Sequence, residues 1–194
     1  METVREPGLP AGLEALAVPP EAGDLPVPRY VDCFIRDAED RAEAYGDNAG
    51  GGSFVPSDVR YAFQVLQWLL RAGALSPGSS FLEWGSGQGL VSILASMSGL
   101  DATGVEMDEA LVKEAAALAA RFDARARFVH GSYNPATPGL DIHTARQRDA
   151  VYVYPWPGEE GFFLRLFNGT APAGALLLMC LGPEDIRVYR KTAD

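Results

Sequence analysis

A chain of 194 residues with 47% hydrophobic content can bury one sizeable core and has little room for a second domain. Its formal net charge of -10 opposes phosphate-rich surfaces, which disfavours nucleic acid and anionic membrane as partners and suits a cationic or neutral one. Cys33 and Cys180 make no disulfide framework, the apolar runs fall short of the roughly 20 residues a bilayer core requires, and Glu2 and Glu6 stand where a signal peptide would be basic, so a cytoplasmic protein is expected.

Residues 1–28 contain Pro7, Pro10, Pro19, Pro20, Pro26 and Pro28, which exclude a continuous helix and predict an extended or disordered arm before a single domain over 29–194. Tyr30 to Tyr45 reads as a helix. Gly46 to Ser53, with Gly50, Gly51 and Gly52 inside it, reads as a loop that is either a lid or slack between elements. Ser57 is placed to cap a helix through Arg71, whose apolar positions include Val59, Phe63, Leu66, Leu69 and Leu70. Gly73 stops that helix, and Ser76-Pro77-Gly78 turns the chain into a strand.

That strand, Ser79 to Trp84, runs into Gly85-Ser86-Gly87-Gln88-Gly89 and then a helix over Gln88 to Met97 carrying Leu90, Val91, Ile93, Leu94 and Met97. A strand, a glycine-rich turn and a helix N-terminus together make a cofactor loop: glycine tolerates the backbone angles, leaves room for close approach, and the helix offers free N–H groups. The dinucleotide fingerprint GxGxxG is missing, because Leu90 falls where its third glycine belongs. Glu83 would also repel a diphosphate, yet it can accept from an ammonium directly or through water. S-adenosylmethionine (SAM) has that ammonium and no phosphate. With Glu83 leading Gly85, Gly87 and Gly89, the chain resembles the class I SAM-dependent methyltransferases, whose first motif is (D/E)xGxGxG. The resemblance implies cofactor contacts at Glu83, Trp84, Gly85, Ser86, Gly87 and Gly89.

The following strand, Ala102 to Glu106, ends in a carboxylate about twenty residues on, where ribose hydroxyls are held in βαβ cofactor sites. Met107 beside it joins the implied cofactor residues, and Asp108 reads as the N-cap of a helix facing the core with Ala110, Leu111, Ala115, Leu118 and Phe122. The order FVPS, helix, PG turn, strand and GxGxG is similar to bacterial relatives of the ATP-synthase c-subunit lysine methyltransferases and the non-SET histone-lysine methyltransferases. In those relatives the segment before the helix touches the cofactor, which carries over to Pro56 and Ser57, although Ser57 is equally explained as a cap.

Arg127 to His130 is the next strand. The family commonly has an Asp after the following glycine, accepting from the adenine amino group; here Gly131 is followed by Ser132, a weaker acceptor, and by Tyr133, which either stacks on the purine or closes the core. His130 at a strand end is more ordinarily structural than a base, and His130 and His143 lack metal-ligand spacing, so no metal is expected.

The strand from Asp149 to Val153 leads into Tyr154-Pro155-Trp156-Pro157, a stiff aromatic loop at the crevice. It resembles the family's fourth motif in place but departs from the (D/N)PP(Y/F) form that holds a nucleobase amine. Tyr154 and Trp156 are the candidate substrate-positioning residues, an aromatic wall for an alkylammonium; Glu159 and Glu160 either attract positive charge or start the next helix. A helix over 160–168, a central strand over Ala173 to Leu181 and a short strand over Asp185 to Arg190 complete the chain, leaving room for only part of the reversed hairpin that closes the common class I sheet.

The expected fold is a doubly wound, mostly parallel Rossmann-like α/β sheet with helices on both faces and a shortened C-terminal end, the resemblance covering about residues 53–182. It implies methyl transfer from SAM to an acceptor the sequence does not identify, a protein lysine or other amine being favoured. A SAM- or nucleoside-binding module without transferase activity and an NAD-dependent oxidoreductase are the alternatives, the latter opposed by the glycine spacing. Nothing in the sequence indicates an oligomeric state.

Overall fold

The computed structural model describes residues 1–48 and 58–193. Its centre is an eight-stranded sheet in the order β1-β2-β8-β7-β6-β3-β4-β5. Five strands run parallel: β3 (Ser80–Trp84), β4 (Asp101–Glu106), β5 (Arg127–His130), β6 (Ala150–Val153) and β7 (Leu176–Gly182). β8 (Asp185–Lys191) returns antiparallel to β7. β2 (Leu13–Leu16) lies antiparallel to β8, and β1 (Thr3–Val4) is outermost.

The chain steps outward from β3 to β4 and β5, then crosses back to β6 on the other side of β3. That reversal opens a crevice over the carboxyl end of β3. Parallel strands buried on both faces should read as apolar runs, and β7 does, with Leu176, Leu177, Leu178, Met179 and Cys180 all buried.

On one face α2 (Val59–Arg71) and α3 (Leu90–Met97) cover the sheet, with Val65, Leu66, Leu69, Val91 and Ala95 packed on Phe81, Tyr152, Leu178 and Val188. α1 (Arg29–Asn48) lies outside these helices through Val31, Phe34 and Ile35, beside Leu118 of α4 (Glu109–Arg121). On the other face α5 (Glu160–Thr170) buries Phe163 and Phe167 against Leu82, Trp84, Val151 and Val153.

Several expectations shift. The proline-rich residues 1–28, expected as an extended or disordered arm, are part of the sheet: β2 pairs Leu13 with Lys191 and Leu16 with Val188, and a short 3-10 helix over Pro20–Asp24 follows. Leu13, Ala15 and Leu16 are buried, and that apolar payload anchors the segment. β1 and β2 thereby extend the sheet beyond β8. Ser57 lies outside the described residues, and the cap of α2 is Asp58, which accepts from Tyr61 N at 2.9 Å. In α4, Asp108 does cap by accepting from Ala110 N, but the buried residues are Ala115, Leu118 and Ala119 while Ala110 is exposed, because the first turn stands clear of the sheet. Between β5 and β6 no regular helix forms; residues 131–149 cross as a loop pinned by a Ser132–Ile142 bridge.

Candidate functional site

The glycine loop after β3 is the centre of the site, and its three glycines serve two purposes. All have positive φ: 70° at Gly85, 51° at Gly87 and 76° at Gly89. A Cβ built on Gly87 would meet nothing within 4 Å, and one on Gly85 only Tyr133 at 3.9 Å, so this part of the loop faces open space. At Gly89 a Cβ would strike the Phe128 ring and reach Ala115 Cβ at 2.9 Å. Gly85 and Gly87 therefore leave room for a ligand, whereas Gly89, expected among the cofactor contacts, is a glycine because α3 must pack close to β5 and α4.

Gly89 is also the N-cap of α3 and has no side chain to satisfy the first N–H groups. Glu83 does so from the neighbouring strand: one oxygen accepts from Ser92 N at 2.8 Å and Ser92 Oγ at 2.6 Å. Its expected partner is a ligand's ammonium; the structure instead turns Glu83 onto α3, with 5% of its surface exposed. Burial pushes its carboxyl up to about 7, the Ser92 bonds work against that, and the charge of Glu106 adds to it.

Glu106 is arranged differently. It ends β4, is only partly buried, and accepts from three backbone N–H groups: Gly87 at 2.9 Å on one oxygen, Met107 at 2.7 Å and Asp108 at 3.0 Å on the other. These bonds fix a carboxylate across the mouth of the glycine loop. One oxygen thus accepts twice and the other once, so the oxygen that holds Gly87 N keeps a lone pair for a ribose hydroxyl. Met107 is 52% exposed beside it.

The remaining expected residues separate. Trp84 is 2% exposed, donates Nε1–H to the His143 carbonyl at 3.2 Å, and packs on Tyr133 and Phe163; only its backbone belongs to the loop. Alternation along β3 explains this, since Leu82 and Trp84 face α5 while Phe81 and Glu83 face α2 and α3. The Ser86 hydroxyl is buried without a hydrogen-bond partner, tucked against Gly104. Ser132 is 1% exposed and its hydroxyl serves its own turn, accepting from Asn134 N at 3.0 Å and meeting Thr137 Oγ1 at 3.0 Å. Tyr133 lies half-buried over Gly85, its ring 5.9 Å from Trp84 and 5.3 Å from Phe163, and burial with the charges of Glu159 and Glu106 raises its phenol. Pro56 and Ser57 lie outside the described residues.

The aromatic loop after β6 is open. Trp156 is 66% exposed and Tyr154 36%, while Glu159 and Glu160 accept from Trp156 N and Gly158 N, each at 3.3 Å, closing the turn into α5. His130 is structural in role, its Nε2 2.9 Å from the Met107 carbonyl. His143, beyond sequence reasoning, places its ring against Gly131, where a Cβ would meet Nε2 at 3.0 Å. His143 is partly buried, with Nε2 enclosed and without a hydrogen-bond partner, while its neighbour Ile142 is exposed; an irregular loop carries no periodicity that would point to either residue. A cavity of about 600 Å³ sits at the opposite, amino ends of the strands, among Tyr30, Met97, Asp101, Arg125 and Arg127, away from this chemistry. Among the described residues no group of three or more His, Cys, Asp or Glu is arranged for a metal ion, and no helix is long and apolar enough to cross a membrane.

An RNA methyltransferase from Salinibacter ruber in complex with S-adenosyl-L-homocysteine superimposes with a TM-score of 0.53 over 67% of this chain and 92% of its own, at 18% identity. The fold is that of the class I SAM-dependent methyltransferases. An S-adenosylmethionine-dependent methyltransferase from Clostridium acetobutylicum shares it with a TM-score of 0.50, at 10% identity over 76% of this chain and 56% of its own. In sequence, the ribosomal protein L11 methyltransferase of Thermus thermophilus is 39% identical over a stretch covering 50% of this chain and 42% of the relative, so less than half of that relative's length is spanned. No protein-family model matches the chain.

Proposed function

We propose that this chain is a methyltransferase that binds SAM over the glycine loop and transfers its methyl group to an amine of a basic protein. The observation that carries the reading is Glu106: a carboxylate held 2.9 Å from Gly87 N, beside loop residues whose outer face is open. Glu106 would accept from a ribose hydroxyl of SAM, and the crevice on the β6 side, with Tyr154 and Trp156, would be left for the acceptor. SAM supplies an electrophilic methyl group, which leaves sulfur with its bonding pair left behind and is taken by a nitrogen lone pair. The work left to the chain is positioning: Glu106 fixes the ribose, Tyr133 closes the crevice over Gly85, and the aromatic loop holds the amine in line in a partly dry site. Aromatic faces attract an alkylammonium as it arrives, and its proton must be lost to solvent before attack.

The formal net charge of -10 supports a basic protein over nucleic acid, and the name of the Thermus thermophilus relative supports a protein acceptor. The test is calorimetric titration of SAM and NAD into the chain and its Glu106→Ala variant. SAM binding weaker by about 1–3 kcal/mol in the variant is expected, as for loss of hydrogen bonds to a charged acceptor. Equal affinity in both, or tighter binding of NAD, sinks the donor site. Transfer of labelled methyl to lysine-rich protein then separates an enzyme from a binding module, the reading that Ser132, with its hydroxyl used internally, would favour.

A further inference from the structure

At the same carboxyl edge, beyond β7, lies a second cavity of about 460 Å³, lined by Val18, Pro20, Gly23, Asp24, Tyr61 and Glu184. Three separate elements build it: the segment after β2 with its 3-10 turn, the first turn of α2, and the tip of the β7–β8 hairpin. Its wall is fixed from below, since the buried Gln64 side chain donates to the carbonyls of Gly23 and Leu25. Val18, Pro20 and the Tyr61 ring give the cavity its apolar and aromatic surface, and the exposed Asp24 and Glu184 make the larger part of its lining polar. Among the described residues Asp24 and Glu184 have no ion-pair partner, in contrast to Asp185, which lies 3.8 Å from Arg187. Glu184 is held with φ 52°, a conformation uncommon for a non-glycine residue, at the hairpin tip beside Tyr61.

We propose that this cavity is a docking pocket for a lysine side chain of the protein acceptor, the butyl stem lying on Tyr61 and Val18 and the ammonium between Asp24 and Glu184. The inference rests on the reading above that the acceptor is a basic protein, and names the feature by which it is chosen. β8 stands two strands from β6, roughly 10 Å at sheet spacing, so the docked lysine is a neighbour of the methylated amine and not the reacting group. Burial, and then the carboxylates of Glu184, Asp185 and Asp58, raise the Tyr61 phenol, so the aromatic wall of the cavity stands in a negative field. A flexible, strongly hydrated ammonium is suited to such a site because its carbon stem covers apolar surface while its head stays near carboxylates and water.

The experiment uses two capped tripeptides, acetyl-Ala-Lys-Ala-amide and the same peptide with norleucine for lysine, titrated into the full chain without SAM and followed by NMR shifts at Tyr61, Gly23 and Glu184. The lysine peptide should shift these resonances saturably and the norleucine peptide should not. Glu184→Gln should weaken the lysine peptide about fivefold, as expected for losing one partly exposed charge partner. Gly23→Ala places a methyl 3.5 Å from the Tyr61 ring without positive-φ strain, so it should narrow the cavity and weaken binding while leaving the unfolding temperature unchanged. Shifts of equal size with both peptides, no saturable shift with either, or full affinity in both variants would overturn the pocket. Because no methyl donor is present, such a failure leaves the SAM reading standing, and a failed SAM titration leaves this pocket standing.

Discussion

The glycine loop after β3 and the aromatic loop after β6 flank one crevice, and they are built on opposite terms. In the first, nearly every polar group has a partner inside the protein: Gly85 N and Ser86 N both donate to the Val105 carbonyl at 2.9 Å, Gly87 N to Glu106, and Glu83 caps α3. In the second, Glu159 N donates to the Trp156 carbonyl at 3.0 Å and Trp156 N to the Glu159 carboxylate at 3.3 Å, closing the turn, but the Trp156 side chain extends into solvent and Tyr154 is partly exposed. A ligand arriving at the glycine loop meets a surface organised in advance, so its affinity is set by shape and fixed acceptors. An acceptor arriving at the aromatic loop must order the side chains that receive it. The difference teaches that perturbing the first region should register in binding and stability, and perturbing the second in turnover.

The sharpest break within the first region is between its own glycines. Gly89→Ala drives a methyl into Phe128 and Ala115 at a left-handed position and should destabilise the chain by about 2–5 kcal/mol, overpacking and backbone strain combined. Gly87→Ala meets nothing within 4 Å and should cost only the strain of about 1–2 kcal/mol, yet lose most SAM affinity because its methyl enters the open face. Urea unfolding beside SAM titration of both variants reads this out. Unimpaired SAM binding by folded Gly87→Ala would show that the open face is not where the donor lies.

Part of this was legible in the sequence. The strand, glycine turn and helix around Glu83 to Met97 announce themselves, as does Glu106 at the end of β4, because local backbone demands and strand periodicity act within a few residues. What depends on long-range packing was not. Three glycines in a row of alternate positions look equivalent, and only the approach of Phe128 from β5 separates Gly89 from Gly87. Trp84 reads as a loop residue because it touches the motif; its burial against Phe163 is decided by α5, some eighty residues later. The prolines before residue 29 exclude a continuous helix, but nothing local says that Leu13 to Leu16 will pair with the far C-terminal strand β8. Ser132 matches the position of a family acceptor by counting, while its hydroxyl is claimed by a turn to Asn134 that counting does not reveal.

Glu83 gives a test of the first region by pH. Glu83 titrates near 7 when folded and near 4.5 when unfolded, so between those values the folded chain keeps a proton that the unfolded chain has released. The contribution is fully present below pH 4.5, declines as pH rises through that window, and is flat above 7. Its size is about 3 kcal/mol, because each tenfold difference in proton affinity between the two states is worth about 1.4 kcal/mol. Glu83→Gln keeps an acceptor for Ser92 and removes the titration, so its urea stability relative to the parent chain should rise by about that amount between pH 4.5 and pH 7. Parallel stability curves would mean that Glu83 is not held as a proton-binding group beneath the loop.

The aromatic loop supplies the last and smallest expected effect. Trp156 is 66% exposed and outside the hydrophobic clusters, so Trp156→Ala should leave the unfolding midpoint and SAM affinity nearly unchanged. If the ring orients the acceptor, methyl transfer should nevertheless fall, by up to about a hundredfold, because misplacing a nucleophile by an ångström reaches that size. The drop should appear with lysine-bearing acceptors at saturating SAM, and Trp156→Phe should restore most of it, since a second aromatic face retains the attraction for an alkylammonium. Loss of SAM affinity in step with activity would instead place the ring on the donor side and erase the contrast between the two loops. Retention of full activity would make it a surface residue with no part in acceptor recognition, leaving Tyr154 alone to provide an aromatic face at the end of β6.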